Sequence, residues 1–136
     1  MKNILLDTNA YVAFKRGAQD AVDIVRLAEK IGISIIVMGE LLAGFVSGRQ
    51  ESRNRKELSE FLGSPRVHVF LADDETVEYY ARIFRQLKNK GKPIPTNDLW
   101  IAATAMQHGF AIFTYDDHFV NIDNLLVCNS PETLLP

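Results

Sequence analysis

Four acidic residues in this 136-residue sequence stand where carboxylates could do chemistry: Asp7, Glu40, Asp98 and Asp116. Asp7 follows the apolar run Ile4, Leu5 and Leu6 with no turn residue between, and Thr8 and Asn9 come directly after it. An apolar strand gains nothing from an acid at its tip. Glu40 and Asp98 fall near the starts of helical stretches, where an acid also complements the helix dipole. Asp116 comes two residues after Thr114, with Asp117 beside it, and either acid alone would suit a turn. If the four converge, their mutual repulsion drives some of them to take up protons. A divalent cation removes that conflict. Oxygen donors with no cysteine among them favour Mg2+ or Mn2+ over zinc. A cation held in this way activates a hydroxide and stabilises charge on a phosphoryl group. The chemistry to expect is metal-assisted hydrolysis of a phosphate ester.

Convergence depends on the elements that carry the acids. Apolar periodicity and breaker residues predict a strand at 4–6, a short helix at 9–16 and a helix at 19–30 ended by Gly32. The β-branched run at 34–37 reads as a second strand, followed by a helix at 39–46 with Glu40 in its first turn. The charged stretch 48–65 reads as an exposed helix with Leu58, Phe61 and Leu62 turned inward, and 67–71 as a third strand. Helices at 74–90 and 96–108 are closed by Gly91 and Gly109, and strands at 111–114 and 125–128 complete the chain. Short apolar strands alternating with helices imply an α/β fold, with a parallel sheet of four to five strands and helices on both faces. In such a sheet ligands bind beyond the carboxyl ends of the strands. A helix that leads into a parallel strand also begins at that edge. All four acids are therefore expected on one edge of the sheet.

Composition narrows the class. With 47% hydrophobic residues and no linker, repeat or low-complexity segment, residues 1–136 read as one domain. The formal net charge of -2 means that a polyanionic substrate would need local basic patches. The single cysteine, Cys128, permits no intrachain disulfide and reads as core, which fits a reducing compartment. Neither a signal-peptide pattern nor a membrane-length apolar run is evident, so a cytoplasmic location is expected.

Several stretches carry a family resemblance: LLDTNAYVA at 5–13, VMGELLAGFVSG at 37–48, PIPTNDLWIAATAMQHG at 93–109 and TYDDHF at 114–119. In order and spacing they resemble PIN-domain ribonucleases, and specifically the VapC toxins of type II toxin–antitoxin pairs. The resemblance implies a PIN-like three-layer α/β/α fold. It implies that Asp7, Glu40, Asp98 and Asp116 form a catalytic, metal-binding acidic site for Mg2+, with Mn2+ as substitute. It also implies that Thr8, Asn9 and Thr114 line that site or orient its acids, and Asp117 could share the position of Asp116. The activity implied is endonucleolytic cleavage of RNA, with water attacking phosphorus and the 3′ oxygen leaving; transfer RNA is one candidate target. The partners implied are a second copy of the chain and a VapB-like antitoxin whose C-terminal segment blocks the site.

An acidic site must still attract RNA. Two basic stretches are candidates: Arg49, Arg53, Arg55 and Lys56, and Arg85, Lys88, Lys90 and Lys92. Both also read as solvated helix faces, and the first carries Glu51, Glu57 and Glu60 among its cations. Tyr11, Phe14, Trp100 and Tyr115 are candidate stacking surfaces for bases, with Trp100 expected in the core. Asn97 reads as a helix cap, with a substrate contact as the alternative. His68 and His108 read as structural, and His118 stands close enough to Asp116 along the chain to reach the site. Two other strand-terminal aspartate chemistries fit poorly. A haloacid-dehalogenase phosphatase needs a second acid where Asn9 stands, and a receiver domain needs an early acidic pair beside Asp7. The remaining rival is a PIN-like module that binds RNA or protein without cutting.

Overall fold

The computed structural model describes residues 2–135. Five strands, β1 (Asn3–Leu6), β2 (Lys30–Ser34), β3 (Val67–Phe70), β4 (Ala111–Phe113) and β5 (Val127–Cys128), form one parallel sheet in the order β3-β2-β1-β4-β5. Six α-helices flank it: α1 (Thr8–Lys15), α2 (Gln19–Leu27), α3 (Ile35–Ser47), α4 (Glu51–Leu62), α5 (Asp74–Lys90) and α6 (Thr96–His108). This is the three-layer α/β/α architecture, with β1 at its centre. Ile4, Leu5, Leu6, Ile31, Ile33, Ile112 and Phe113 are fully buried in the strands. Each such side chain contributes roughly 1.5–3 kcal/mol by leaving water. Near-continuous apolar runs of this kind are what a parallel sheet covered on both faces requires.

The chain leaves β1 toward β2 on one side and reaches β4 on the other. The order of the sheet therefore reverses between β1 and β4, and a crevice opens there beyond the strand ends. Registration is fixed across that seam: the Asp7 N–H donates to the Phe113 carbonyl at 2.9 Å.

The region 19–37 departs from the sequence expectation. Helix α2 stops at Leu27, β2 occupies Lys30–Ser34, and the β-branched run at 35–37 opens α3 instead of forming a strand. Short apolar runs do not separate a buried strand from a buried helix by periodicity. Here the cap decides: Ser34 is extended, and its hydroxyl accepts the Val37 N–H at 3.1 Å. Gly32 does not end a helix. It lies within β2, where an added Cβ would sit 2.5 Å from Phe70 Cε2 and 2.9 Å from Leu5 Cδ1. The missing side chain is the space the Phe70 ring uses. Because α3 begins earlier, Glu40 falls in its second turn.

Elsewhere sequence and structure agree closely. Helices α5 and α6 have the expected bounds, each ending on a left-handed glycine, Gly91 and Gly109. Asp73 caps α5 through the N–H groups of Glu75 and Thr76, while Gln107 of α6 donates to the same carboxylate at 2.9 Å. That network ties the start of α5 to the far end of α6. Leu58 is buried as expected, and Phe61 and Leu62 pack partly against the core. Trp100 is only half-buried, tilted against Tyr80 at 4.3 Å between ring centroids.

Candidate active site

Asp7 is the N-cap of α1: its backbone is extended, and its Oδ1 accepts the Thr8 N–H at 2.8 Å. Its Oδ2 accepts the Thr114 hydroxyl at 2.7 Å, across the β1–β4 seam. The residue is 3% exposed. Burial pushes its carboxyl above the usual aspartate range; the two hydrogen bonds pull it back, and the charges of Asp98 and Asp116 push it up again. Removal from water favours the neutral form, and neighbouring like charges do the same.

The other three acids arrive from separate elements. Glu40, on α3, is held by two donors from different segments: the Thr8 hydroxyl to Oε1 at 2.6 Å and the Asn97 amide to Oε2 at 3.3 Å. Asp98 lies in the first turn of α6. Its Oδ2 meets His118 Nε2 at 2.8 Å. Burial raises the Asp98 carboxyl, His118 lowers it, and Asp116 and Glu40 raise it further. Asp116 follows β4 just before the 3-10 turn Asp117–Asn121, and its N–H donates to Thr114 Oγ1 at 3.0 Å. The Thr114 hydroxyl thus joins Asp7 to the loop that carries Asp116. Asn9 also ties this loop down, its Oδ1 accepting the Tyr115 N–H at 3.1 Å.

Asp7, Thr8, Asn9, Glu40, Asn97, Asp98 and Asp116 line a cleft of about 720 Å³. Four carboxylates from four distant segments line it, and Asp7 and Glu40 stand outside the tighter group that Asp98 and Asp116 form with His118. Ligand atoms of Asp98, Asp116 and His118 lie within 4.8 Å of one another, a spacing suited to one cation. The like charges that help to raise the Asp7 and Asp98 carboxyls would be offset by a positive ion among them. The donor set is mostly carboxylate oxygen with one imidazole nitrogen, which suits a hard divalent ion.

Asp117 is exposed and outside the cleft lining. Asn97 is not the cap of α6; Pro95 holds that position, and the Asn97 amide reaches Glu40 instead. None of Arg49, Arg53, Arg85, Lys88 and Lys92 lines the acidic cleft. Lys88 borders a small apolar pocket with Phe84 and Ile94, and Arg85 lies on the outer face of α5 beside Arg82. Arg53 pairs with Glu57 at 2.9 Å in a neighbouring groove. Tyr11 is buried edge-on against Phe61, so its ring is not a free stacking surface; Tyr115 is 44% exposed.

Sequence reasoning passes over Arg16 and brings His118 only near Asp116. Arg16 is the cation among the described cleft residues. Its signal was present: Asn9, Val12, Ala13 and Arg16 recur at helical spacing, and all four line the cleft. His118 reaches Asp98 because the 3-10 turn after Asp116 folds the chain back, a geometry that residue spacing does not display.

The open parallel sheet thus carries its carboxylate cluster at the topological switch point, where α/β folds place their ligands. The PIN domain family model matches residues 4–125. Ribonuclease VapC2 of Rickettsia felis is 31% identical over 130 residues, covering 92% of this chain and 96% of that protein. The VapC ribonuclease Y4jK of Sinorhizobium fredii is 32% identical over 122 residues, covering 83% and 86%. Among solved structures, VapBC2 from Rickettsia felis bound to a DNA fragment from its promoter superposes with a TM-score of 0.84 at 28% identity, covering 94% of this chain and 98% of that one. The chain belongs to the PIN-domain family, among the VapC proteins.

Proposed function

We propose that this protein is a metal-dependent endoribonuclease, the toxin half of a toxin–antitoxin pair, which hydrolyses RNA phosphodiester bonds in the acidic cleft. The observation that carries the reading is the meeting of Asp7, Glu40, Asp98 and Asp116 at the β1–β4 switch point. Further support comes from relatives that are named ribonucleases.

Asp7, Asp98 and Asp116 would hold the cation, with Glu40 beside them, and Mg2+ or Mn2+ suits these donors. When bound, the ion supplies an activated water and neutralises charge at the phosphoryl group. The chain's own residues supply position. Thr8 and Thr114 fix the rotamer of Asp7, Thr8 and Asn97 fix Glu40, and His118 fixes Asp98. Arg16 at the rim offers a positive charge to the phosphate backbone. The reading carries two partners: a VapB-like antitoxin, in keeping with neighbours solved as VapBC complexes, and a second copy of the chain. Among the described residues no helix is long and apolar enough to cross a membrane.

The test is cleavage of total cellular RNA by antitoxin-free protein, comparing wild type with Asp7→Asn and Asp98→Asn, in Mg2+, Mn2+ or EDTA. The expected fall in rate for either variant is at least about a hundredfold, or roughly 2.7 kcal/mol of lost transition-state stabilisation. Sequencing the fragment ends identifies the target, with transfer RNA the first candidate. Folded wild-type protein that leaves RNA intact with every metal would overturn the assignment.

A further inference from the structure

Asp98 and Asp116 do not stand alone, because His118 lies against both. Its Nε2 is 2.8 Å from Asp98 Oδ2 and 4.0 Å from Asp116 Oδ2. The fold fixes the ring there. His118 is the second residue of the 3-10 turn Asp117–Asn121, and the next residue, Phe119, is fully buried. The Asn121 side-chain amide donates to the His118 carbonyl at 3.3 Å and closes the turn. The imidazole also packs against the Phe119 ring, at 4.9 Å between centroids. A turn anchored in the core thus brings a nitrogen to two of the acids assigned to the cation, while the His118 side chain stays 34% exposed.

Orienting Asp98 accounts for the first of these distances but not for the second. Two donor atoms on one ion, each about 2.1 Å from it, stand roughly 3.0 Å apart when adjacent and roughly 4.2 Å apart when opposite. The separations of 2.8 and 4.0 Å fall close to these limits, and one donor atom each from Asp98, Asp116 and His118 lies within 4.8 Å of the other two. Glu40 is placed differently. Its Oε1 already accepts from Thr8 and its Oε2 from Asn97, and it stands outside this group. The tightest set of donors is therefore two carboxylates and one imidazole.

We infer that His118 is itself a ligand of the cation, through Nε2, and that it tunes the site toward Mn2+, with Mg2+ the weaker substitute. The inference rests on the proposed metal-dependent nuclease and deepens it. A ligating imidazole is neutral, with its proton on Nδ1 and the Nε2 lone pair on the metal. Mg2+ prefers oxygen donors and parts reluctantly with its water, so a nitrogen in the set serves it poorly. Transition-metal dications take imidazole more readily, and Mn2+ is at home among carboxylates as well. In the metal-free protein the same nitrogen rests on Asp98, so the ring is already in place when the ion arrives.

The experiment uses the full chain freed of antitoxin, as wild type and as His118→Gln. Glutamine keeps an amide able to bond Asp98 and replaces the nitrogen donor by a hard oxygen. Titration calorimetry measures Mn2+ and Mg2+ binding, thermal melting checks that both proteins are folded, and electron spin echo envelope modulation of the Mn2+ complex reports any nitrogen bonded to the metal. Wild type should show that nitrogen coupling, and His118→Gln should lose it. The variant should weaken Mn2+ binding by about 10- to 100-fold, the range that loss of even an outer partner of a metal ligand produces. Mg2+ binding should weaken by no more than about threefold, because an oxygen donor remains. A residue that only positioned Asp98 would weaken both ions alike and give no nitrogen signal. Absence of the coupling in wild type would overturn the ligand assignment, and equal loss for both ions would overturn the tuning; either result leaves the nuclease standing. Folded wild type that binds neither ion would instead overturn the metal site and the proposed function with it.

Discussion

Thr114 is a small residue placed where its removal should be felt in both stability and activity. It is 1% exposed, and its hydroxyl donates to Asp7 Oδ2 at 2.7 Å while accepting the Asp116 N–H at 3.0 Å. Thr114→Val keeps the shape and deletes both bonds. A hydrogen bond to a charged group contributes about 1.5–3 kcal/mol. The Asp116 N–H, on a half-buried residue, can turn to water and adds little. The expected loss is therefore roughly 2 kcal/mol at neutral pH. For a domain of this size about 4 °C of melting temperature goes with each kcal/mol, so the metal-free variant should melt about 8 °C below wild type.

The pH dependence gives the sharper test. Thr114 donates to the ionised form of Asp7, so its loss penalises that form alone. The Asp7 carboxyl is already raised by burial, and the variant raises it further. The gap in melting temperature should be largest well above the Asp7 pKa and shrink as pH falls through it, where Asp7 is neutral in both proteins. Thr114→Ser, which keeps the hydroxyl, should recover most of the loss. Cleavage by Thr114→Val should fall about 10- to 100-fold, the usual effect of removing a group that orients a metal ligand. A variant that melts within about a degree of wild type, or a gap that does not change with pH, would refute the view that Thr114 holds an ionised Asp7.

Three further outcomes follow from the same geometry. Asp7→Asn keeps the cap on α1 and removes a buried charge, so the metal-free variant should be about 0.5–2 kcal/mol more stable than wild type at pH 7 by chemical denaturation, while losing cleavage. The sign follows from the raised pKa: the folded state binds protons more tightly than the unfolded one, so the Asp7 contribution is intact below the unfolded value near 3.8 and is lost as pH rises through the folded one. Mn2+ at about a hundred times its dissociation constant should stabilise wild type by roughly 2.7 kcal/mol and Asp7→Asn much less, read by thermal shift. Gly32→Ala should cost about 1–3 kcal/mol, because its Cβ would meet the Phe70 ring at 2.5 Å; unchanged stability would mean that the ring moves aside freely.

The sequence displayed the acids but not the way they are held. Asp7 was legible because an apolar strand ran into it, and Asp98 because breakers fix the bounds of α6. Glu40 was placed on the right helix but one turn too early, since Ile35, Ile36 and Val37 look alike in a strand and in a helix until the Ser34 cap is seen. Gly32 misled for a related reason. A glycine after an amphipathic stretch signals a helix end, whereas here it admits a ring from the adjacent strand. The contacts of Thr8 with Glu40, of Asn97 with Glu40 and of His118 with Asp98 join residues 32, 57 and 20 positions apart. Nothing in local periodicity encodes which of several nearby polar groups will meet across a cleft. The RNA-contact residues were the least legible: a charge run on a helix looks the same whether it faces solvent or a groove.

Asp7 also bears on why a charge is kept at this position. Its two fold-related tasks are to cap α1 and to tie the β1–β4 seam through Thr114. Asparagine would cap as well and could still bond Thr114, with no ionised group to desolvate. Serine would cap at still less cost. The fold therefore has no need of the negative charge, and it carries a penalty from that charge, heightened by Asp98 and Asp116. Each oxygen of Asp7 is oriented by one protein donor and retains a free lone pair on the wall of the cleft. A carboxylate that is costly to bury, fixed from both ends and left with open acceptor sites is arranged for a positive ion. Binding that ion would turn the repulsion within the cluster into stabilisation.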